Sequence, residues 1–402
     1  MEKKLGIYIH IPFCASKCGY CDFYSFAGHD EWMNRYQDAL LKHIAESAEQ
    51  MAPYYVDTVY FGGGTPSYYG AKRVSALFNA LKRCAKVLKT AEVTVEMNPD
   101  SVKRHELALL RAEGVNRISL GVQSANDEIL RLIGRRHNFK QAEKAVDGIR
   151  REGFRNLSID LIYGLPSQGK NDWAATLTRA IALRPEHFSC YGLKLEESVP
   201  LYASYHGSPL LPSDDDQADM YLYTVEELQN YGYRQYEISN FARRGKESKH
   251  NIKYWDLDDY MGFGAGAHSF VNGTRYSFVA DAKRYISGVL DGELDIIDEY
   301  EKVDNLGLAA EYLMLGLRRS KGISREEYRS VYRSDFDKIE EMLKEFERKA
   351  WAVYESGRWR FTSAGLLLSN ILIGALLEVQ AENKLIGNPW VRESIEEATI
   401  YS

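Results

Sequence analysis

Three cysteines stand within eight residues, Cys14, Cys18 and Cys21, in the stretch "CASKCGYC". Thiolates are soft, strong ligands for iron and zinc. A Cys-x3-Cys-x2-Cys spacing lets one loop present three of them to an iron–sulfur cubane while one iron keeps no protein ligand. An open place of that kind is what reactive metal sites reserve for an exogenous ligand. The alternative is a structural zinc, which needs a fourth ligand, and His10 and His29 are the candidates nearby. The remaining two of the five cysteines, Cys84 on an amphipathic stretch and Cys190 in mid-strand, are expected as buried thiols. An odd count does not make a disulfide framework. A second feature is the turn "FGGGTP" (61–66), whose glycines let backbone groups approach a ligand closely.

Such a loop needs a scaffold. Six short apolar, β-branched runs are predicted as strands, at 6–13, 56–63, 92–97, 117–124, 156–166 and 187–196. Helix-length amphipathic segments lie between them: Glu31–Met51, Ala71–Leu88, Val102–Glu113 and Ala142–Glu152. Strand–helix repetition means parallel strands with right-handed crossovers. Six units fall short of a closed eight-stranded barrel, so a partial barrel and an open doubly wound sheet both fit. The two-residue period of a strand sharpens the expectation. Val93, Val95 and Met97 oppose Glu96, and Ile118, Leu120 and Val122 oppose Gln123. Likewise Leu157, Ile159 and Leu161 oppose Asp160, while Leu193 and Leu195 oppose Lys194. Parallel strands are normally apolar on both faces. Four polar residues in phase, late in successive strands, predict a common cavity at the carboxyl ends.

Around Pro200 the pattern changes to prolines, an acidic helix start and a helix near Gln217–Tyr231. A strand-like "YRQYEISNFA" and the aromatic, glycine-rich "HNIKYWDLDDYMGFGAGAHSF" follow. The "GFGAGA" run lacks the flanking strand and helix that a dinucleotide turn requires. From about Lys302 three helical segments precede a predicted hairpin, "WAVYESGRWRFTSAG", and a last helix, which suggests a small winged-helix-like domain. The expected organisation is 1–200 for the strand–helix domain, 201–300 for an extension, 301–380 for the C-terminal domain and 381–402 for a polar tail.

The composition is that of a soluble globular protein: 402 residues, 45% hydrophobic, 27% charged and a net charge of −6. No broad basic excess points to nucleic acid. No segment reaches the roughly 20 apolar residues of a membrane span. The N-terminal apolar run is too short for a signal peptide, and a cytoplasmic location is expected.

"CASKCGYC" with Tyr20 before its third cysteine, together with "FGGGTP" one strand–helix unit later, strongly resembles the radical S-adenosylmethionine (SAM) superfamily. With "YIHIPFC", "GVQS", Gly134–Arg135, "IDLIYGLP" and the His250–Trp255 motif "HNIKYW", residues 5 to about 379 resemble one group within it. That group contains oxygen-independent coproporphyrinogen III dehydrogenase and the HemW heme chaperones. The dehydrogenase typically has a further cysteine two residues after the third and an N-terminal extension. Here Phe23 occupies that position and Cys14 comes early, so the resemblance leans to the chaperones.

The resemblance implies an α/β fold, a partial (β/α)6 radical-SAM barrel with a helical, winged-helix-like C-terminal domain. It implies a [4Fe–4S] cluster on Cys14, Cys18 and Cys21. It implies SAM contacts from Tyr8, Tyr20, Gly63, Gly64, Thr65, Glu96, Gln123, Arg135, Asp160 and Lys194, and a heme ligand at His250. The implied partners are heme and apo-hemoproteins, with respiratory enzymes at the membrane and a homodimer among the expected associations. Radical decarboxylation of coproporphyrinogen III is the competing expectation.

Overall fold

The computed structural model describes residues 3–292 and 295–382; the polar tail lies outside them. Two compact units divide the described residues: 3–235 with 239–301, and 236–238 with 302–382.

In the first unit six parallel strands pair in chain order: β1 (Lys3–Ile11), β2 (Tyr54–Gly63), β3 (Lys86–Met97), β4 (Arg117–Gln123), β5 (Leu157–Tyr163) and β6 (His187–Gly192). The cause is visible in β1, where Leu5, Ile7, Ile9 and Ile11 are fully buried on one face. Gly6, Tyr8 and His10 take the other face. The apolar face packs under a layer of helices, α1 (Met33–Glu46), α2 (Ala71–Cys84), α3 (Arg104–Glu113), α4 (Phe139–Arg151) and α5 (Lys170–Ala182), which touch in succession from α1 to α4. Asn138 caps α4 with a capping box, its side chain accepting from Gln141 N–H. Cys190 is 2% exposed within the core, as expected of a plain buried thiol.

Three expectations are corrected. Helix α2 stops at Cys84 and β3 starts at Lys86, so the stretch predicted as one helix to Leu88 changes element at Ala85. The last predicted strand ends at Gly192, and Lys194 therefore lies on a loop rather than on an inward-facing strand position. The "GFGAGA" run does begin on a strand. Tyr260–Phe263 pairs in parallel with β1, and an antiparallel hairpin, not a helix, comes next (His268–Val271 with Thr274–Phe278). A four-residue strand with a glycine inside it gives almost no periodic signal. Short strands on both sides extend the sheet to twelve among the described residues.

The second unit has helices at Asn305–Gly316, Arg325–Tyr332 and Asp337–Arg348, then the hairpin Ala352–Glu355 with Arg358–Phe361, then Ser363–Leu367 and Ser369–Ala381. Leu313, Tyr328, Ile339, Leu343 and Leu376 form a core of their own.

Candidate functional site

The cysteine loop leaves the carboxyl end of β1. Phe13–Cys14 pairs with Phe26–Ala27, so the loop is closed at its base. Within it Cys21 N–H donates to the Cys18 carbonyl at 3.3 Å, Gly19 N–H to the Ile133 carbonyl at 3.1 Å, and Leu201 N–H to the Gly19 carbonyl at 2.8 Å. Each sulfur has a polar neighbour. Thr65 Oγ1 donates to Cys14 Sγ at 3.5 Å, Arg135 Nη1 donates to Cys18 Sγ at 3.6 Å, and Ser25 Oγ lies 3.9 Å from Cys21 Sγ. Such contacts stabilise thiolates and tune a cluster held on them. Burial pushes the Cys14 and Cys21 thiols up. In the metal-free chain they stay protonated, and a metal held there would displace the protons.

Both fourth ligands considered for zinc already make other contacts. Both ring nitrogens of His10 are engaged, Nδ1 with Tyr8 Oη at 3.0 Å and Nε2 with the Tyr24 carbonyl at 2.8 Å. His29 stacks on Trp32 and pairs with Glu31.

Beside the loop lies a cavity of about 420 Å³, lined by all three cysteines, Tyr20, Gly63, Gly64, Thr65, Glu96, Gln123, Arg135, Asp160 and Lys194. Residues far apart in sequence thus meet where the strand alternation predicted. Gly63 has φ 109°, and a Cβ there would fall 2.5 Å from the His10 ring, so no side chain is tolerated at that point of the turn. Glu96 accepts from Tyr60 Oη at 2.7 Å and from Gly63 N–H at 3.2 Å. Burial, with Asp160 nearby, raises its carboxyl to about 7. Burial also raises Asp160, which accepts from Ser119 Oγ at 2.9 Å and Ser158 Oγ at 3.1 Å. Arg135 donates through Nη2 to Asn98 Oδ1 at 2.7 Å and to the Gly121 carbonyl at 2.6 Å, while its buried Nε has no hydrogen-bond partner among the described residues. Gln123 reaches the cavity through a register shift after Gly121 and a positive φ of 65°, a strained conformation of the kind that collects at binding sites.

The donor set fits a three-thiolate cluster with a zwitterionic, nucleoside-bearing ligand. Raised carboxylates suit a cationic group, and an unsatisfied guanidinium nitrogen suits a carboxylate. Lys194 sits exposed at the rim, ion-paired with Glu196.

Two expected contacts lie elsewhere. Tyr8 does not line this cavity; its ring sits 6.4 Å from the His250 ring, and it borders a neighbouring cavity. His250 also lies away from this cavity. It is 1% exposed, on the helix Lys249–Asp256. Its Nδ1 bonds Thr58 Oγ1 at 2.8 Å and its Nε2 bonds Tyr254 Oη at 2.8 Å. Burial lowers it to about 3, so the ring is neutral. Both ring nitrogens are thus taken up within the chain, and "HNIKYW" forms a buried plug. Lys253, the residue before Tyr254, buries its ammonium against Asp57 at 2.9 Å beside Gly6.

Tyr60, Asn98, Arg117 and Ser119 also line the cavity without having been singled out. The signal existed, because Arg117, Ser119, Gly121 and Gln123 share one face of "RISLGVQ". Arg117, 1% exposed, is the cation that lowers both Glu96 and Asp160 against burial.

Residues 8–180 match the family model of the radical SAM superfamily. The chain is 34% identical to the heme chaperone HemW of Bacillus subtilis (strain 168), over 92% of this chain and 98% of that protein. It belongs to the HemW family of radical SAM proteins. The HemW of Escherichia coli (strain K12) is 32% identical, over 93% of this chain and 98% of that protein. Among solved structures, coproporphyrinogen III oxidase (HemN) from Escherichia coli, described as a radical SAM enzyme, superposes with a TM-score of 0.82. It is 24% identical and covers 93% of this chain and 90% of its own. That likeness confirms the fold of this HemW-family chain, with its α/β barrel and helical C-terminal region.

Proposed function

We propose that this protein is a heme chaperone, which binds heme and passes it to apo-hemoproteins. The observation that carries the reading is the alignment of relatives named heme chaperones along more than nine-tenths of the chain. Phe23, in the place where the dehydrogenase pattern has a cysteine, supports it. Cys14, Cys18 and Cys21 would hold a [4Fe–4S] cluster, and its open iron would take SAM. That pair supplies one-electron reduction of a sulfonium when bound.

The chain's own residues do the rest. Glu96 accepts hydrogen bonds from the amino group, Arg135 pairs with the carboxylate, and Asp160 accepts from ribose hydroxyls. Tyr20, Gly63, Gly64, Thr65 and Gln123 shape the wall, and Lys194 stands at the rim. Among the described residues no helix is long and apolar enough to cross a membrane; we place the protein in the cytoplasm.

The deciding experiment is an anaerobic titration of the reconstituted protein with hemin, followed by mixing with an apo-hemoprotein. A stoichiometric Soret band that passes to the acceptor is expected. Absence of stoichiometric binding overturns the reading. Robust conversion of coproporphyrinogen III to protoporphyrinogen replaces it with the enzymatic one.

A further inference from the structure

Asn98 joins two of the three loop cysteines through hydrogen bonds. It follows β3 directly, in extended backbone with φ −101° and ψ 142°, the region that Pro99 imposes on the residue before it. Its main chain is clamped. Its N–H donates to Ser67 Oγ at 3.2 Å, and its carbonyl accepts from Ser101 N–H at 3.0 Å and Ser101 Oγ at 2.9 Å. Ser67 and Ser101 meet each other at 2.6 Å. With Cys18, Thr65 and Arg135, the Asn98 side chain stands between the 420 Å³ cavity and a smaller one of about 210 Å³.

Four hydrogen bonds run in series from one sulfur to another. Arg135 donates through Nη1 to Cys18 Sγ at 3.6 Å and through Nη2 to Asn98 Oδ1 at 2.7 Å. Asn98 Nδ2 donates to Thr65 Oγ1 at 3.1 Å, and Thr65 Oγ1 donates to Cys14 Sγ at 3.5 Å. The sense of every bond is fixed from the Arg135 end. A guanidinium only donates, so the amide atom that faces it is the oxygen. The amide nitrogen then faces Thr65, whose hydroxyl accepts that N–H and keeps its single proton for Cys14. Without the amide, the hydroxyl is free to turn its proton elsewhere.

We propose that Asn98 is a positioning residue that sets the reduction potential of the iron–sulfur cluster, by holding the Thr65 and Arg135 donors on the Cys14 and Cys18 thiolates. The inference rests on the reading that the three cysteines hold a cluster. Hydrogen bonds to the sulfurs favour the more negative, reduced state and so raise the potential. An aspartate of the same shape would keep the Arg135 bond but could only accept from Thr65. It would draw the hydroxyl proton away from Cys14 and add a negative charge.

The test is a redox titration of the reconstituted protein without SAM, followed by the EPR signal of the reduced cluster. Iron and sulfide content and visible absorption report that the loop is intact in each variant. The midpoint is expected to be more negative in Asn98→Ala than in wild type, and more negative still in Asn98→Asp. Thr65→Ser should keep the wild-type midpoint, and Thr65→Val should lower it. In the Thr65→Val background, Asn98→Ala should produce a smaller shift than in wild type, because part of its route to the sulfurs is already gone. Asn98→Asp carries the test if Asn98→Ala holds no cluster. A wild-type midpoint in the Asn98 variants overturns the proposal and leaves the cluster reading intact. So does a shift undiminished in the Thr65→Val background. A wild type that assembles no cluster overturns both.

Discussion

At the scale of single residues, Glu96 shows how the cavity trades stability for a ligand. Its carboxyl is raised from 4.5 to about 7 by burial beside Asp160. A carboxylate raised on folding costs stability as pH rises through its window, because the native state holds the proton longer than the unfolded chain does. Glu96→Gln removes that cost. The cluster-free variant should be more stable than wild type by about 1–2 kcal/mol at pH 8, and nearly equal to it at pH 5. Its SAM affinity should fall roughly tenfold or more, the value of a charge-assisted hydrogen bond. Urea unfolding at the two pH values and equilibrium dialysis with SAM check both halves; a less stable variant with undiminished SAM binding would refute the assignment. This residue was legible in the sequence because a charged side chain late in a parallel strand has no packing reason to be there. Arg117 was hidden in plain view on the same alternation, since a charged residue opening a strand reads as a solvent-facing boundary. His250 shows that a motif marks where a side chain matters, not whether its nitrogens are free.

At the scale of elements, the barrel's order of strands and helices followed from periodicity, and its errors lie where periodicity fails. The join at Ala85 has no turn signal between α2 and β3. The strand Tyr260–Phe263 is too short to show a period. The plug helix Lys249–Asp256 is polar in sequence yet buried at His250 and Lys253, because its partners Thr58, Asp57 and Glu92 come from two other strands or their ends. No local pattern announces such a non-local neutralisation. The Lys253 ammonium is 5% exposed and lies 2.9 Å from Asp57, with Asp258 at 4.0 Å as a weaker second partner. Removing one side of a buried pair leaves the other uncompensated. Asp57→Ala should therefore destabilise the protein by about 2–4 kcal/mol, measured by urea unfolding. Lys253→Met, which removes the buried charge itself and keeps the stem, should cost less than half of that. The opposite ranking would mean that the plug is held by packing alone.

For the whole molecule, acid sensitivity follows from how its histidines are used. Five of the nine are held neutral by burial. His10, His43 and His137 are lowered to about 4, His250 to about 3, and burial also pushes His187 well below its ordinary value. Between about pH 6.5 and 4 the unfolded chain binds protons at these sites that the native chain refuses, so stability falls as the pH drops through that window. Each contributes on the order of 1–2 kcal/mol between pH 7 and pH 5. Glu92, Glu96, Asp160 and Asp258, all raised by burial, work in the opposite sense, because the native state takes up their protons first. The histidines prevail. They are more numerous, five against four, and each window opens at about pH 6.5, the ordinary value of an unfolded imidazole. The urea midpoint of the cluster-free protein should fall clearly from pH 7 to pH 5, and His43→Asn, far from the cluster loop, should flatten the slope by about one proton. A midpoint that rises on acidification would show that the carboxylate cavity, rather than the buried imidazoles, sets the charge balance of the fold.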